Sequence, residues 1–434
     1  MAVASDGATR AGTPRRRSRE PRSDSGRSVR AAVVAVGFGL AYVVGRDGSP
    51  GWQVARVAAV AGLAALTLAA LERRGRAGRA GISFVSGLLG VSVGVGIGLP
   101  HAAKTGLSAV TAAGLAVLAG GLVLLVAGSV VLTRTAGGWR RAAVVPGLVL
   151  ATFVGIWSIG QAVGATNVPR TAVGSTTPAD FDLRYRDVEL STSDGVTLSG
   201  WYVPSTNGAA VVLLHGAGST RSGVLDHAVV LARNGYGVLL FDARGHGRSG
   251  GRAMDFGWYG DEDTAAAVDF LASQGDVDDG RIAAVGMSMG GEEAIGAAAA
   301  DDRISAVVAE GVTNRVAGDK GWLSDSYGWR GAFQERIEHL VYGIADLLTA
   351  ADPPITLREA VAAAAPRPVL LIAASEENDE EPAGRYIRAG SPDTVELWVV
   401  AGAGHTGGLD TEPAEWEARV TAFLGAALTD GGGS

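Results

Sequence analysis

Five stretches of almost unbroken apolar residues occupy the first third of the chain: Ala31 to Gly45, Val54 to Leu71, Ile82 to Leu99, Leu107 to Leu132 and Ala142 to Val163. Crossing a bilayer as a helix takes about 20 apolar residues, so the first run is short and the other four are long enough. Separated by short charged loops, the five predict a bundle of about five transmembrane helices over residues 31–165, preceded by a disordered Arg-rich tail, residues 1–30. A Gly-, Pro- and Thr-rich linker, residues 166–180, follows, and past it the periodicity changes. YRDVELSTSDGVTLSGWYVP reads as two antiparallel strands around an Asp194-Gly195 turn. The runs AAVVLLHG, YGVLLFD, RIAAVGMS, SAVVAEG, PVLLIAA and TVELWVV then alternate with Ala-rich helical stretches. Short continuous apolar runs, each followed by a helix, predict an α/β domain over 181–430: a mostly parallel sheet with helices on both faces.

Charge divides along the same boundary. Residues 1–180 carry 19 Lys and Arg against 6 Asp and Glu, net +13, whereas residues 181–434 carry 18 against 38, net −20. Within the first part the arginines concentrate in the tail, in the second loop (Arg73, Arg74, Arg76, Arg79) and in the fourth (Arg134, Arg140, Arg141), while the intervening loops hold little more than Arg46 and Lys104. Basic loops are retained in the cytoplasm, so the alternation predicts a multi-pass cell-membrane protein, its N-terminus cytoplasmic and its C-terminal domain outside. The tail has no aromatic residue to stack on bases and abuts a span, so a lipid-facing role is expected and a nucleic-acid partner is not. The chain has no cysteine, which excludes disulfides, thiolate metal sites and a Cys nucleophile. Its few Lys and many Ala, Gly and Arg suggest a GC-rich bacterial source.

Gly-x-Ser-x-Gly occurs three times: GVSVG from Gly90, GRSGG from Gly247 and GMSMG from Gly286. Position separates them. Ser92 lies inside a span where Gly90, Gly94 and Gly98 recur every four residues, a pattern that lets helices approach closely. Ser249 lies in a polar loop several residues beyond its strand. Ser288 directly follows one apolar run and precedes the helix-like GEEAIGAAAA; His215 ends another run, and His405 lies just past Val395 to Val400. Sites in parallel sheets form at the carboxyl ends of strands, so Ser288, His215 and His405 are expected on one sheet edge. A serine hydroxyl needs a base and oxyanion donors to act as a nucleophile. A sharp strand-to-helix turn would present it, with Gly286 and Gly290 wherever a side chain would collide.

Together HGAGS (His215 to Ser219), FDARGHGRSGG, VGMSMGG and the late Gly-His of AGAGHTGG resemble the α/β-hydrolase fold family over about residues 182–428. The resemblance implies Ser288 as nucleophile, His405 as general base, an acid between them in the chain, and an oxyanion hole formed by the N–H groups of Ala217 and Met289. His215 and Gly216 belong to the oxyanion loop, and Asp242 and His246 are expected to be structural. The acid is sought just past Val369 to Ala374, in SEENDEE: Glu377 first, then Asp379 and Glu376, with Glu310 a distant fourth. This acidic cluster lacks the ligand spacing of a Ca²⁺ loop, so no metal or other cofactor is expected. His227 and His339 read as packing or surface residues and His101 as part of an external loop. An insertion over 313–366 resembles a cap; within it GAFQERIEHLVYGIADLLTA has helical apolar spacing, and Trp322, Tyr327 and Trp329 would line a pocket or pack. The expected activity is cleavage of a small or lipid-like carboxylic ester at the bilayer. The same triad would serve a peptidase, thioesterase or acyltransferase, and a non-catalytic binding domain is the alternative of another class.

Overall fold

A computed structural model describes residues 24–429; residues 1–23 of the expected tail lie outside that range. Five apolar helical segments come first: α1 (Asp24–Val44), α2 (Pro50–Arg73), α3 (Arg76–Val93) continuing through a π-helical turn (Gly94–Gly98) into α4 (Leu99–Thr105), α5 (Ala109–Thr135) and α6 (Arg140–Thr166). All five are long and apolar enough to cross a membrane. Two boundaries differ from expectation. The first helix begins at Asp24, so residues 24–30, expected within the disordered tail, are helical. His101 lies in α4, buried, with Nδ1 2.9 Å from the Ile97 carbonyl, because the third span runs on past Leu99.

The small-residue pattern sets how the helices meet. A Cβ on Gly94 would come within 2.4 Å of Leu118, one on Gly98 within 2.9 Å of Gly114, and one on Gly90 within 2.9 Å of Gly121, so α3 and α5 are in backbone contact. Ser92 bonds the carbonyls of Leu88 and Gly155, tying α3 to α6. The Arg-rich turns α2–α3 and α5–α6 share one end of the bundle with the Arg30–Glu72 ion pair. The opposite end, with Arg46, Lys104 and Thr166, meets the C-terminal domain.

That domain is built on one eight-stranded sheet: β1 (Arg186–Ser191), β2 (Thr197–Val203), β3 (Ala210–Leu214), β4 (Gly237–Phe241), β5 (Ile282–Met287), β6 (Ile304–Glu310), β7 (Val369–Ala374) and β8 (Val395–Val400). The order is β1-β2-β4-β3-β5-β6-β7-β8, with β2 antiparallel to both neighbours and β3 to β8 parallel. Helices α7 (Leu225–Arg233), α8 (Gly260–Ala272), α9 (Met289–Ala300), α10 (Leu323–Tyr327), α11 (Trp329–Leu348), α12 (Leu357–Ala364), α13 (Glu380–Arg388), α14 (Gly408–Thr411) and α15 (Pro413–Thr429) complete it. The apolar faces of α8, α9, α12 and α13 pack on one side of the sheet and those of α7 and α15 on the other. Strands β3, β4, β5 and β7 are buried at every position, which is why they read as continuous apolar runs.

The insertion is shorter than expected. Leu357, Ala360, Val361 and Ala364 of α12 belong to the main core, leaving α10 and α11 as the helices of the insertion outside it. Trp322 packs with Leu323 and Ala383, whereas Tyr327 and Trp329 are exposed. Helix α11 runs beside α6, and one apolar cluster spans both parts of the chain: Val93, Ile97, Ala162 and Val163 from the bundle with Trp258, Tyr342, Ala345 and Leu348 from the domain.

Candidate active site

Ser288 stands between β5 and α9 with φ +54°, a conformation costly for a residue with a Cβ and held by its surroundings. Its N–H donates to the Glu310 carbonyl (2.7 Å), and its own carbonyl accepts from Gly291 and Glu292 in the first turn of α9. The flanking glycines are steric requirements. A Cβ on Gly286 would lie 2.1 Å from the Gly290 carbonyl oxygen, and one on Gly290 2.6 Å from the carbonyl carbon of Leu214. Strand β3 therefore passes directly beneath the turn, and the loop leaving it lies beside the serine: a Cβ on Gly216 would sit 3.3 Å from that of Ser288. Ala217 is exposed in this loop. Met289 is the first residue of α9, so its N–H has no intrahelical acceptor and lies at the positive end of the helix dipole.

His405 Nε2 is 2.9 Å from Ser288 Oγ, and its Nδ1 is 2.5 Å from Glu380 Oε1. With the ring proton on Nδ1, the imidazole donates to Glu380 and accepts from Ser288. The hydrogen bond to Glu380 raises the His405 pKa above its ordinary value, against the opposing effect of burial. Glu380 is itself buried (2% exposed), and its second oxygen accepts from the Ala374 N–H at 2.7 Å.

Residues 205–319 match the family model described as serine aminopeptidase, S33. The C-terminal domain has the α/β-hydrolase fold. An uncharacterized Mycobacterium tuberculosis protein is 43% identical over 116 residues, 26% of this chain and 41% of the relative. A thiohydrolase of Aspergillus aculeatus is 38% identical over 128 residues, 29% of this chain and 40% of the relative. The chain thus spans about two fifths of the length of these relatives. Among solved structures, a Pyrococcus furiosus esterase aligns at 29% identity with a TM-score of 0.48, covering 60% of this chain and 96% of the esterase.

Within the hydrolase domain the structure brings Ser288, His405, Gly216, Gly286 and Gly290 together and corrects the acid. Glu377 and Glu376 are exposed and Asp379 is the N-cap of α13; the carboxylate bonded to His405 is Glu380. The physical reason is the turn after β7. Residues 375–379 carry the chain over the sheet edge, and the next side chain directed inward belongs to the first residue of α13. The Glu310 carboxylate bonds elsewhere: it accepts from Gly408 N (2.7 Å) and Trp416 Nε1 (2.9 Å), pinning the segment just after His405.

The remaining polar motif residues, His215, Asp242, His246 and Ser249, are buried. His215 is fully buried, which lowers its pKa to about 3; its Nδ1–H donates to the Gly216 carbonyl (2.8 Å) and its Nε2 accepts from Ala243 N (3.0 Å). Asp242 accepts from the N–H groups of Arg221 and Arg248, and Ser249 bonds Ser199 N and the Asp242 carbonyl. His246 is buried, with its ring edge-on to His215. His227 is packed edge-on to Trp416, and His339 is exposed. One contact had no sequence signal: Lys104, at the end of α4, donates to the Gly218 carbonyl at 2.8 Å, and Thr171 donates to the same oxygen. The membrane-type bundle thereby touches the loop expected to carry the oxyanion donor.

Proposed function

We propose that the protein is a membrane-anchored serine hydrolase that cleaves carboxylic esters on the non-cytoplasmic side. The observation that carries the reading is the unbroken chain from buried Glu380 through His405 to Ser288 at a strained strand-to-helix turn. Ser288 Oγ attacks the ester carbonyl carbon while His405 Nε2 takes its proton. The resulting oxyanion is stabilised by the N–H groups of Ala217 and Met289, and the imidazolium by Glu380. His405 then passes the proton to the departing alcohol, leaving acyl-Ser288. Water attacks the acyl carbon with His405 again as base, releasing the acid and restoring the serine. A small or lipid-like ester is the substrate class, and no cofactor takes part. Arginines at one end of the bundle and the hydrolase domain at the other support a cytoplasmic N-terminus.

The test is labelling of the full chain by a fluorophosphonate probe, followed by turnover of acyl esters of increasing chain length. Labelling that survives Ser288→Ala overturns the proposal. The family description and the thiohydrolase relative make aminopeptide and thioester substrates the informative competitors in the same assay. Protease added to intact cells is expected to cleave the hydrolase domain, and protection overturns the orientation.

A further inference from the structure

We propose that the end of the bundle nearest the hydrolase domain holds one phospholipid, its phosphate in a basic cavity and an acyl chain in the apolar groove one helical turn away. The cavity, about 210 Å³, lies where the two parts of the chain meet. Three arginines, Arg46, Arg170 and Arg252, line it together with His101, and among the described residues no carboxylate does. Like charges are costly to gather in a partly buried space unless an anion joins them. The guanidinium groups are held from behind: Arg46 Nη1 donates to Asn167 Oδ1 (3.2 Å), Arg252 Nη2 to the Thr166 carbonyl (2.7 Å) and Arg170 Nη1 to the Ser249 carbonyl (2.6 Å). Arg252 Nη1 is buried and has no hydrogen-bond partner. It makes a long ion pair with Asp47 (3.7 Å), whose oxygen already accepts from Thr349 and Ala350. Burial and the neighbouring Arg46 both press the Arg252 pKa down, while Asp47 opposes them. A phosphate would relieve that repulsion and accept from the free N–H.

The groove identifies the source of the phosphate. About 270 Å³ in volume, it lies between α1, α3 and α5 and is lined by apolar side chains such as Phe38, Val93, Ile97, Val110 and Val117. Two one-turn steps join it to the cavity. Tyr42 lines the groove and carries Arg46 over its ring at 4.9 Å; Ile97 lines the groove and its carbonyl bonds His101. Phe38 is 73% exposed, so the groove opens on the face of the bundle that would meet lipid. An apolar slot leading to a cationic pocket at the helix ends matches a molecule with an acyl tail and an anionic head.

The experiment uses the full-length Ser288→Ala chain in detergent, so that retention is read without turnover and independently of the proposed activity. Native mass spectrometry compares a phosphatidylglycerol with the diacylglycerol of the same chains and with inorganic phosphate. Retention of the phospholipid, at least about tenfold above the diacylglycerol, and its loss in Arg46→Gln/Arg252→Gln support the proposal. Equal retention of phospholipid and diacylglycerol overturns it, as does an unchanged double variant. Inorganic phosphate that displaces the phospholipid at equal concentration assigns the cavity to a free anion and overturns the lipid source. Should the double variant not fold, the comparison of the three ligands on the parent chain, together with Arg46→Lys/Arg252→Lys retaining the phospholipid, decides the matter.

Discussion

Replacing Glu380 by Gln tests the triad at the point where sequence and structure part. The carboxyl of Glu380 is 98% buried, accepts from His405 Nδ1 at 2.5 Å and from Ala374 N at 2.7 Å, and both partners are donors. An amide has one accepting atom, so a Gln must set its NH₂ against the Ala374 N–H or against the His405 Nδ1–H. The first arrangement buries two opposed donors, costing about 1–3 kcal/mol of stability. The second forces the imidazole proton to Nε2, where it cannot take the serine proton. Loss of the equivalent carboxylate in a serine protease triad lowers kcat by about 10⁴, or about 5 kcal/mol in the barrier. Glu380→Gln should therefore lower kcat by about 10³ to 10⁴, while Glu377→Gln, at an exposed position, stays within about twofold. The pH dependence has a defined sign. Glu380 raises the His405 pKa, and the base works only when deprotonated, so the acid limb of kcat/KM lies above about 6.5 and moves down in the variant. The assay is steady-state hydrolysis of a short-chain chromogenic ester by the detergent-solubilised full chain from pH 5 to 9. A Glu380→Gln enzyme within tenfold of the parent, or a Glu377→Gln enzyme reduced as expected for Glu380, refutes the reasoning.

Lys104→Ala removes one charged donor from the Gly218 carbonyl and leaves Thr171, so kcat should fall about tenfold with KM little changed; an unaltered kcat refutes a positioning role for Lys104. Gly290→Ala drives a Cβ to 2.6 Å from Leu214 and is expected to abolish fluorophosphonate labelling while lowering the unfolding temperature. Glu292 is buried and its pKa rises to about 7, opposed by the N–H groups of Thr313 and Asn314. Its folded pKa lies above the unfolded value near 4.5, so folded protein binds more protons and stability falls as pH rises from about 4.5 to about 7. Glu292→Gln keeps an accepting oxygen and should match the parent at pH 4.5 but unfold at a higher temperature at pH 8; parallel unfolding temperatures across that range overturn this.

What was legible in the sequence follows from what burial does to residue choice. Strands buried on both faces must be apolar throughout, so β3, β4, β5 and β7 announced themselves as continuous apolar runs, β8 was read from a run only partly buried, and Gly195, with φ +83°, marked the hairpin turn between β1 and β2. Ser288 was separable from Ser92 and Ser249 because a nucleophile turn needs a strand before it and a helix after it. The acid was misplaced because acidic residues follow one another there and spacing from the strand end does not register how the chain turns. A signal existed in α13. Glu380 shares the buried face of that helix with Ala383, Gly384 and Ile387, and Pro382 suits a helix's first turn, so the helical period singles out Glu380 among its neighbours. Lys104 was not legible at all, since its partner is a backbone carbonyl 114 positions away in a separate structural unit.

The apolar cluster shared by α6, α11 and the neighbouring helix ends bears on how such a chain is assembled and inherited. The bundle precedes the hydrolase-fold domain along the chain, so that domain would complete its fold against a helical surface already formed. A truncated soluble domain would present Trp258, Tyr342 and Leu348 to water and should associate with itself. Because the cluster joins both halves, exchanging one half between relatives should disturb its packing. Substitutions at Ala162 or Val163 should be matched by substitutions at Ala345 or Leu348, a pairing that sequences from related organisms would record.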